Sequence, residues 1–555
     1  MSVGEILLEQ GKLKPEHLQT ALATCQDGER LDRALVRLGY VAEQDVLEVW
    51  GRQLRLPVVD LSSIRIDAEA VRAVPSKVVH RRRLVPIRLD GDTLQVATSE
   101  PFDIYAFDEL RMMTGYKIAP TLAAEAEIDR VIKEHYGVGG ETVSSMIEES
   151  EDVELVSDIV EENGDLFEMA QEASVVKLVN EILVEALNKR ATDIHIEPLE
   201  NDLRIRYRVD GVMHDQVIPP QIRRFQAAII SRIKILAQMN IAEKRLPQDG
   251  SFKVRVHGRE VDIRVSVIPM QFGEGVVLRI LDKQSLLLSL TDLGMEESCF
   301  ERFKHLIEMP HGIMLVTGPT GSGKTTTLYA ALAQIVSPTI KVLTIEEPVE
   351  YNLPGVNQVP VNTKIGLTFA HGLRSFLRHD PDVIMVGEIR DKDTAEVAIQ
   401  ASLTGHLVFS TLHTNDAATA ATRLLDMGVE PFLVASTVEG VMAQRLVRKV
   451  CPSCKQQYQP DAALLPPDFE YDGRPLWRGV GCRECHDSGY LGRVGVFELL
   501  RVDSTVRELI MARASTEKII EAGRANGLAL LREDGWHKVL AGVTTPEEVV
   551  RVTKA

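Results

Sequence analysis

The sequence predicts a multidomain α/β protein, and three observations support this fold class. A chain of 555 residues exceeds what one hydrophobic core usually contains, so three or four domains are expected. Residues 286–555 carry short, continuously apolar runs, typical of buried parallel strands, with helical patterns between them. Residues 172–285 carry strand patterns joined by Asp-Gly and His-Gly turns, which predicts a smaller α+β domain.

The chain begins with an internal repeat. Residues 2–25 and 30–53 align with each other, and each places a glycine (Gly11 or Gly39) between apolar positions at helical spacing. Each half of the repeat therefore predicts a pair of helices that is folded at its glycine.

The rest of the N-terminal region predicts a second element and a linker. Residues 55–137 alternate strand and helix signals, so a small α/β subdomain is expected to complete a domain of residues 1–137. Residues 138–171 are acidic and carry glycines at their start, which predicts a flexible, self-repelling linker.

Arginines alternate with apolar residues along the predicted strands of the α+β domain. Arg204, Arg206 and Arg208 share one strand, and Arg264 and Arg279 lie in two later strands. Side chains two residues apart point to the same face of a sheet, so the arginines within one strand share a face. One interpretation is a solvated sheet face. The other is a set of guanidinium groups that contacts a bound phosphate.

A glycine-rich turn lies in the C-terminal half. It fits the pattern G-x-x-x-x-G-K-[ST] and consists of Gly318, Pro319, Thr320, Gly321, Ser322, Gly323, Lys324 and Thr325, with Thr326 directly after it. An apolar run at 313–317 precedes the turn and a helical pattern follows it, as expected of a phosphate-binding P-loop. Lys324 can reach the β/γ-phosphates and the Thr325 hydroxyl can ligate Mg²⁺. The turn therefore predicts a site for ATP and Mg²⁺.

Polar residues follow three further apolar strands. Glu350 ends the acidic run that begins at Glu346, Glu388 follows the strand at 383–386, and His413 ends another strand region. Ligands of α/β sheets bind at the carboxyl ends of strands, so these side chains are expected near the phosphates. A carboxylate there can orient or deprotonate an attacking water. The alternatives are an acidic helix start for the first cluster and a structural role for the histidine.

Four of the six cysteines form two C-x-x-C pairs. They are Cys451, Cys454, Cys482 and Cys485, in a module at about 449–498. Four thiolates suit a closed tetrahedral Zn²⁺ site, and such a site has a structural role because no coordination position is open. Two redox-active pairs are the alternative.

Composition limits the classes of function. The net charge of −18 argues against a nucleic-acid partner. The first residues lack a basic region followed by an apolar core, so no signal peptide is expected. No apolar run approaches the roughly 18 residues that span a bilayer. We therefore expect a cytoplasmic protein that meets the inner membrane only through partners.

Three longer runs resemble a known family. They are 191–198 (ATDIHIEP), 208–213 (RVDGVM) and 245–250 (RLPQDG). With the P-loop they are similar to the assembly ATPases of bacterial type II secretion and type IV pilus systems. The runs 364–378 and 400–446 and the acidic linker more closely resemble the secretion branch, whose ATPase is the E component.

This resemblance implies a RecA-like motor domain, a PAS-like domain before it, and a homo-hexamer that binds ATP between subunits. Glu350 would be the catalytic base, Glu388 would hold the Mg²⁺ shell through water, and His413 would sense the nucleotide. Arg264 and Arg279 would act as arginine fingers on the ATP of a neighbouring subunit.

The sequence departs from the family pattern at two of these places. Glu347 stands where the acidic box usually has aspartate, and Gly275 stands where many members have arginine. The second departure concerns the geometry around the predicted fingers.

The resemblance also implies a task. Hydrolysis would shift the PAS-like domain against the motor domain and power pseudopilus assembly and protein export. The N-terminal domain would dock to an inner-membrane partner, the L component. Two alternatives stay open: a motor for type IV pilus extension or DNA uptake, and a nucleotide-gated scaffold that senses cyclic di-GMP.

The N-terminal repeat bears on the scaffold alternative. In some relatives two such motifs bind cyclic di-GMP, each beginning R-L-G and closing with Gln. Here Ser2 stands where a guanidinium would pair with phosphate, and Asp32 adds negative charge where a phosphate would approach. We therefore favour a helical docking module and expect no cyclic di-GMP binding.

Overall fold

A computed structural model describes residues 3–25, 30–64, 66–136, 172–256, 258–282 and 288–554. The predicted linker at 138–171 lies outside the described residues. The chain separates into two compact units, and the change from one to the other falls near residue 281.

The repeat forms two helix pairs. The helices are α1 (Val3–Glu9), α2 (Pro15–Thr24), α3 (Leu31–Arg37) and α4 (Glu43–Leu54). Gly11 lies between the first two with a φ of 70°, and Gly39 lies between the others with a φ of 71°. Glycine adopts this left-handed conformation without a Cβ clash. Each half of the repeat is therefore a pair of helices with a glycine between them.

The α/β subdomain follows the repeat. Its elements are α5 (Ala68–Ala73), α6 (Ser76–Arg82), β1 (Leu84–Asp90), β2 (Thr93–Thr98), α7 (Ile104–Thr114), β3 (Lys117–Leu122) and α8 (Glu125–Tyr136). Strand β2 pairs antiparallel with β1 and parallel with β3. Val85, Val96 and Ile128 are fully buried between sheet and helices, so this subdomain has a core of its own.

The α+β domain is built on a six-stranded sheet in the order β6-β5-β4-β9-β8-β7. Its elements are α9 (Ala173–Asn188), β4 (Ala191–Pro198), β5 (Leu203–Val209), β6 (Val212–Asp215), α10 (Gln226–Leu236), β7 (Gln248–Val256), β8 (Arg259–Met270) and β9 (Gly273–Asp282). On β5 Leu203, Ile205 and Tyr207 are buried and the three arginines are not. The alternation therefore places those arginines on one face, as predicted.

The second unit contains the phosphate-binding loop. Its first elements are α11 (Glu297–Ile307), β10 (Gly312–Thr317), α12 (Lys324–Ile335), β11 (Val342–Glu346), β12 (Val356–Pro360), α13 (Phe369–Phe376), β13 (Val383–Val386), α14 (Lys392–Leu403), β14 (Leu407–Leu412), α15 (Ala417–Asp426), α16 (Pro431–Thr437) and β15 (Val438–Val450). The remaining elements are β16 (Lys455–Tyr458), β17 (Leu476–Gly479), β18 (Tyr490–Arg501), α17 (Ser504–Met511), α18 (Thr516–Ala525), α19 (Leu531–Leu540) and α20 (Pro546–Thr553).

A seven-stranded sheet organises this unit, in the order β12-β11-β13-β14-β10-β15-β18. The first six strands pair in parallel and β18 runs antiparallel to β15. Every residue of β10, β13 and β14 is buried, because helices cover both faces of the central strands. The parallel order brings the carboxyl ends of β10, β11, β13 and β14 to one edge.

The C-terminal region begins with a strand. Strand β18 continues through Arg501, and four helices follow it. This strand pairs along most of its length with the long strand β15, which a local pattern cannot show. Within β18, Glu498 is buried, and its carboxylate accepts hydrogen bonds from the backbone N–H groups of Ala417 and Leu531.

Candidate functional site

The P-loop connects β10 to α12 with a geometry that suits a phosphate chain. Gly318 and Gly323 have φ values of 150° and 90°, which a residue with a Cβ rarely adopts. Helix α12 begins at Lys324, so its N-terminal N–H groups face the loop. Thr325 is exposed, whereas Thr327 is buried and donates to Gln444 Oε1 at 2.7 Å. Of these two hydroxyls, that of Thr325 is the accessible one.

The Lys324 ammonium lies against its own loop. It donates to the carbonyl oxygens of Gly318 at 2.8 Å and Pro319 at 3.1 Å. Burial lowers the pKa of Lys324 to about 8, although the nearby Glu388 carboxylate opposes this shift. The protonated form is therefore costly to maintain in the free protein and gains from a phosphate partner.

Glu388 and His413 lie together at the ends of adjacent strands. His413 Nε2 is 3.2 Å from Glu388 Oε2, and Arg390 donates to Glu388 Oε1 at 2.5 Å. Burial disfavours ionisation of Glu388, but the hydrogen bonds and charges of these partners outweigh it and lower its pKa. Glu388 is therefore held as a carboxylate.

The acidic run contains a buried carboxylate, Glu346, an exposed one, Glu347, and a partly buried one, Glu350. Glu346 is buried and accepts hydrogen bonds from Thr344 Oγ1 at 2.5 Å, from Gln358 Nε2 at 3.1 Å, and from the Tyr329 hydroxyl. The same hydroxyl lies 3.4 Å from the backbone nitrogen of Glu350. Glu346 thus anchors the run to α12, and the later carboxylates stand beyond the strand end.

Arg390 is a site residue that the sequence patterns did not single out. Besides Glu388, its guanidinium contacts Glu347 Oε2 at 3.2 Å, so it connects the acidic run to the carboxylate after β13. A basic residue two positions after a strand-end carboxylate is the signal that was available.

The predicted finger residues lie in the α+β domain, in the first unit. Arg279 is more than half exposed, and its Nε donates to the buried Asp193 carboxylate at 3.0 Å. Arg208 Nε lies 3.7 Å from the other oxygen of Asp193. Arg264 is partly exposed on β8. One acidic residue therefore orients two guanidinium groups on the polar face of the sheet.

The four cysteines form one cluster. Their sulfur atoms all lie within 4.8 Å of one another. The Cys451–Cys482, Cys454–Cys485 and Cys482–Cys485 distances are 3.7, 3.8 and 3.7 Å. A tetrahedral site with Zn–S bonds of about 2.3 Å has S–S edges of about 3.8 Å. The donor set and its spacing therefore fit a zinc ion.

In the N-terminal domain, Asp32 and Arg30 at the start of the second motif form contacts with each other and with aromatic rings. Asp32 is buried and accepts from Arg30 Nη2 at 2.6 Å and from Trp50 Nε1 at 2.9 Å. The Arg30 guanidinium lies over the rings of Trp50 and Phe102, at 5.3 and 4.4 Å from their centroids. The arginine that opens the second motif is thus engaged within the domain.

Comparison with known proteins identifies the family. Residues 168–551 match the family described as type II/IV secretion system protein, and residues 54–142 match the MshEN domain. The chain belongs to the type II/IV secretion system protein family. With this family and its P-loop, the chain is a P-loop secretion ATPase with a RecA-like motor domain, as the sequence predicted.

Relatives from both branches are similar over nearly the whole chain. The type IV pilus assembly ATPase PilB of Myxococcus xanthus is 42% identical over 99% of this chain and 98% of that protein. The type II secretion system protein E of Xanthomonas campestris is 43% identical over 99% and 98%. The Legionella pneumophila ATPase DotB is 22% identical with a TM-score of 0.50, covering 67% of this chain and 94% of that one, and shows the fold alone.

Among the helices that the structure describes, none is both long enough and apolar enough to cross a bilayer.

Proposed function

We propose that the chain is the assembly ATPase, the E component, of a type II secretion system and that it works as a hexamer at the cytoplasmic side of the inner membrane. The observation that carries the enzymatic part is the gathering of Lys324, Glu388 and His413 at one edge of the sheet. The relative in Xanthomonas campestris, similar over almost the full length, supports the secretion branch.

Each residue at the sheet edge has a role in this proposal. The phosphates of ATP lie on the loop from Gly318 to Thr326, where Lys324 neutralises their charge. Glu350 accepts the proton of the attacking water, and His413 reports on the terminal phosphate through its contact with Glu388. Mg²⁺, when bound, would screen the charge that develops on the phosphates. Thr325 would ligate it, and Glu388 would hold its shell through water.

Arg264 and Arg279 complete the site from a neighbouring subunit. Two features support them: their guanidinium groups are partly exposed, and Asp193 orients Arg279. A guanidinium fork suits the transition-state charge of a phosphoryl group. Movement of the PAS-like domain against the motor domain then transmits the free energy of hydrolysis to pseudopilus assembly and protein export.

The other modules have supporting roles. Zinc on Cys451, Cys454, Cys482 and Cys485 is structural, because four thiolates leave no coordination position open. The N-terminal domain docks to the inner-membrane L component. It binds no cyclic di-GMP, since Arg30 is engaged by Asp32. No nucleic-acid partner is expected from a net charge of −18.

ATP turnover per subunit, measured against protein concentration with Lys324→Ala as the blank, tests the assembled site. We expect the specific activity to rise with concentration, because the arginines of a second subunit are needed. Activity no higher than the blank, in the presence of the membrane partner, would contradict the motor.

Mixing tests the fingers themselves. Arg264→Ala retains an intact P-loop and Lys324→Ala retains intact arginines, so mixed rings should recover part of the turnover that each variant lacks. Arg204→Ala, on the same polar face but outside the finger assignment, is the matched control and should need no rescue. Failure to recover any turnover in rings that native mass spectrometry shows to be mixed would contradict fingers in trans.

A second candidate function is type IV pilus extension, which the Myxococcus xanthus relative favours at nearly the same identity. Complementation separates the two. Expression in a strain lacking its secretion E component should restore exoprotein in the medium, whereas restoration of piliation alone in a strain lacking its pilus extension ATPase would favour the second function.

A further inference from the structure

We propose that Arg445 is a further positioning residue for ATP hydrolysis, which joins the start of the P-loop to the segment that carries His413. This inference rests on the proposed function of that site. Arg445 lies within the run 400–446, which did not single it out, and the inference follows from the register of the sheet.

Strand β15 passes directly beside the P-loop. Ala443 pairs with Thr317, the last residue of β10, so the next residues of β15 lie alongside Gly318 and the turn that follows. A Cβ built on Gly318 would lie 2.6 Å from the Gln444 carbonyl oxygen and 3.1 Å from Arg445 Nη1. The guanidinium therefore lies against the first glycine of the loop.

The same guanidinium reaches the segment after β14. Its Nη2 donates to the carbonyl oxygen of Asn415 at 2.9 Å, and its Nη1 donates to the carbonyl oxygen of Gln444 at 3.0 Å. Asn415 lies two residues beyond His413, which contacts Glu388. Arg445 thus packs against the first glycine of the P-loop and is hydrogen-bonded to the segment that follows His413.

Charge gives a second line of support. The positive charge of Arg445 contributes to the lowered pKa of Lys324, so the two cations are close enough to interact. Burial also lowers the pKa of Arg445, against the opposing charges of Glu498 and Asp416. A second partly buried cation beside Lys324 is costly without an anion and favourable once a phosphate chain is present.

Gln444, the residue before Arg445, contacts the other end of the P-loop. Its Oε1 accepts from Thr327 in α12, and its Nε2 would lie 2.8 Å from a Cβ on Gly323. Gln444 therefore lies against the end of the loop and Arg445 lies against its start. The planar guanidinium of arginine presents N–H groups in two fixed directions, so it suits contacts with two segments better than a lysine ammonium does.

The test compares ATP turnover of Arg445→Gln, His413→Gln and the double variant, with Lys324→Ala as the blank and Lys449→Gln as the control. Lys449 is exposed on the same strand. We expect Arg445→Gln to lower kcat about tenfold while KM for ATP changes less than about threefold. Because Arg445 acts through the His413 segment, the double variant should lose little more than the worse single variant. Lys449→Gln should retain the wild-type rate.

The outcomes separate the inference from the function on which it rests. Wild-type turnover no higher than Lys324→Ala contradicts the proposed function. If instead Arg445→Gln turns over within about twofold of wild type, or if the losses multiply in the double variant, the inference alone is wrong. Should Arg445→Gln melt below the assay temperature, Arg445→Lys provides the same comparison, with retained charge and lost fork geometry expected to leave kcat low.

Discussion

The edge of the seven-stranded sheet that carries Lys324, Glu388 and His413, here called the phosphate edge, belongs to the same unit as the tetracysteine cluster. The two sites are built in opposite ways. The edge collects unlike residues from segments far apart in sequence, such as Lys324, Glu388 and His413, and each charge is held by another part of the edge. The cluster takes four identical ligands from two short segments. The edge therefore depends on sheet topology, and the cluster depends on local spacing.

This difference has a functional meaning. Side chains at the edge are exposed or partly exposed and can exchange their partners for those of a ligand, whereas the cysteines are closed around one another. Changes at the edge should alter the reaction with little effect on stability. Changes in the cluster should alter stability with little effect on the reaction.

Removal of the P-loop lysine should have the largest effect. Lys324→Ala is expected to lower turnover by at least about 100-fold, because the phosphate charge loses its nearest cation. The melting temperature should stay near that of the wild type, since the ammonium contacts carbonyl groups of its own loop. Steady-state turnover and thermal unfolding measure the two quantities. If Lys324→Ala unfolded many degrees below the wild type, the contrast between a functional edge and a structural cluster would be wrong.

Glu350→Gln should separate binding from chemistry. The amide keeps the shape of the side chain but accepts a proton poorly, so ATP should still bind while turnover falls about 100-fold. Equilibrium binding of a fluorescent ATP analogue and single-turnover hydrolysis measure these steps. Glu347→Gln is the matched control, because Glu347 is exposed and contacts Arg390, and it should lose less activity. Equal losses in both variants would contradict the choice of base.

Cys451→Ser should show the opposite profile. Loss of one thiolate is expected to lower bound zinc below one equivalent and to lower the melting temperature, because zinc affinity contributes directly to folding. Nucleotide affinity should remain within about threefold of wild type, since the cysteines take no part in the proposed nucleotide site. Elemental analysis, thermal unfolding and nucleotide titration test this. Cys299→Ser, outside the cluster, is the control and should retain its zinc.

The contrast also explains what the sequence could predict. The loop at Gly318–Thr325 and the cysteine pairs are local patterns with their own chemistry, and the structure brings each set together. The alternation on β5 and the two glycine-folded helix pairs are likewise local periodicities.

The contacts of Arg390 and Arg445 could not be predicted in the same way. Arg390 reaches Glu347 because β11 and β13 are neighbours, and Arg445 reaches Gly318 because β15 lies beside β10. Both contacts depend on the order of strands, which a single segment does not encode. The strand at Tyr490–Arg501 depends on topology in the same way, since its partner is the distant β15.

The smallest expected effect is a pH dependence of nucleotide binding. Burial lowers the pKa of Lys324 to about 8, so the free protein loses this proton as the pH rises through that value. Only the ammonium form attracts phosphate, and binding above this pH must take up a proton. ADP affinity should therefore fall about five- to tenfold between pH 7 and pH 9.

Lys324→Arg provides the control for this titration, because a guanidinium stays charged throughout the range. Its ADP affinity, even if weaker at pH 7, should change little up to pH 9. A fluorescent ADP analogue, titrated at several pH values at constant ionic strength, measures both proteins. If ADP affinity declined equally in the two proteins, the pH dependence would come from another group, and the predicted proton uptake by Lys324 would be wrong. A decline in the lysine protein alone would show that the phosphate edge holds a cation whose charge depends on its ligand, a property that the closed cysteine cluster does not share.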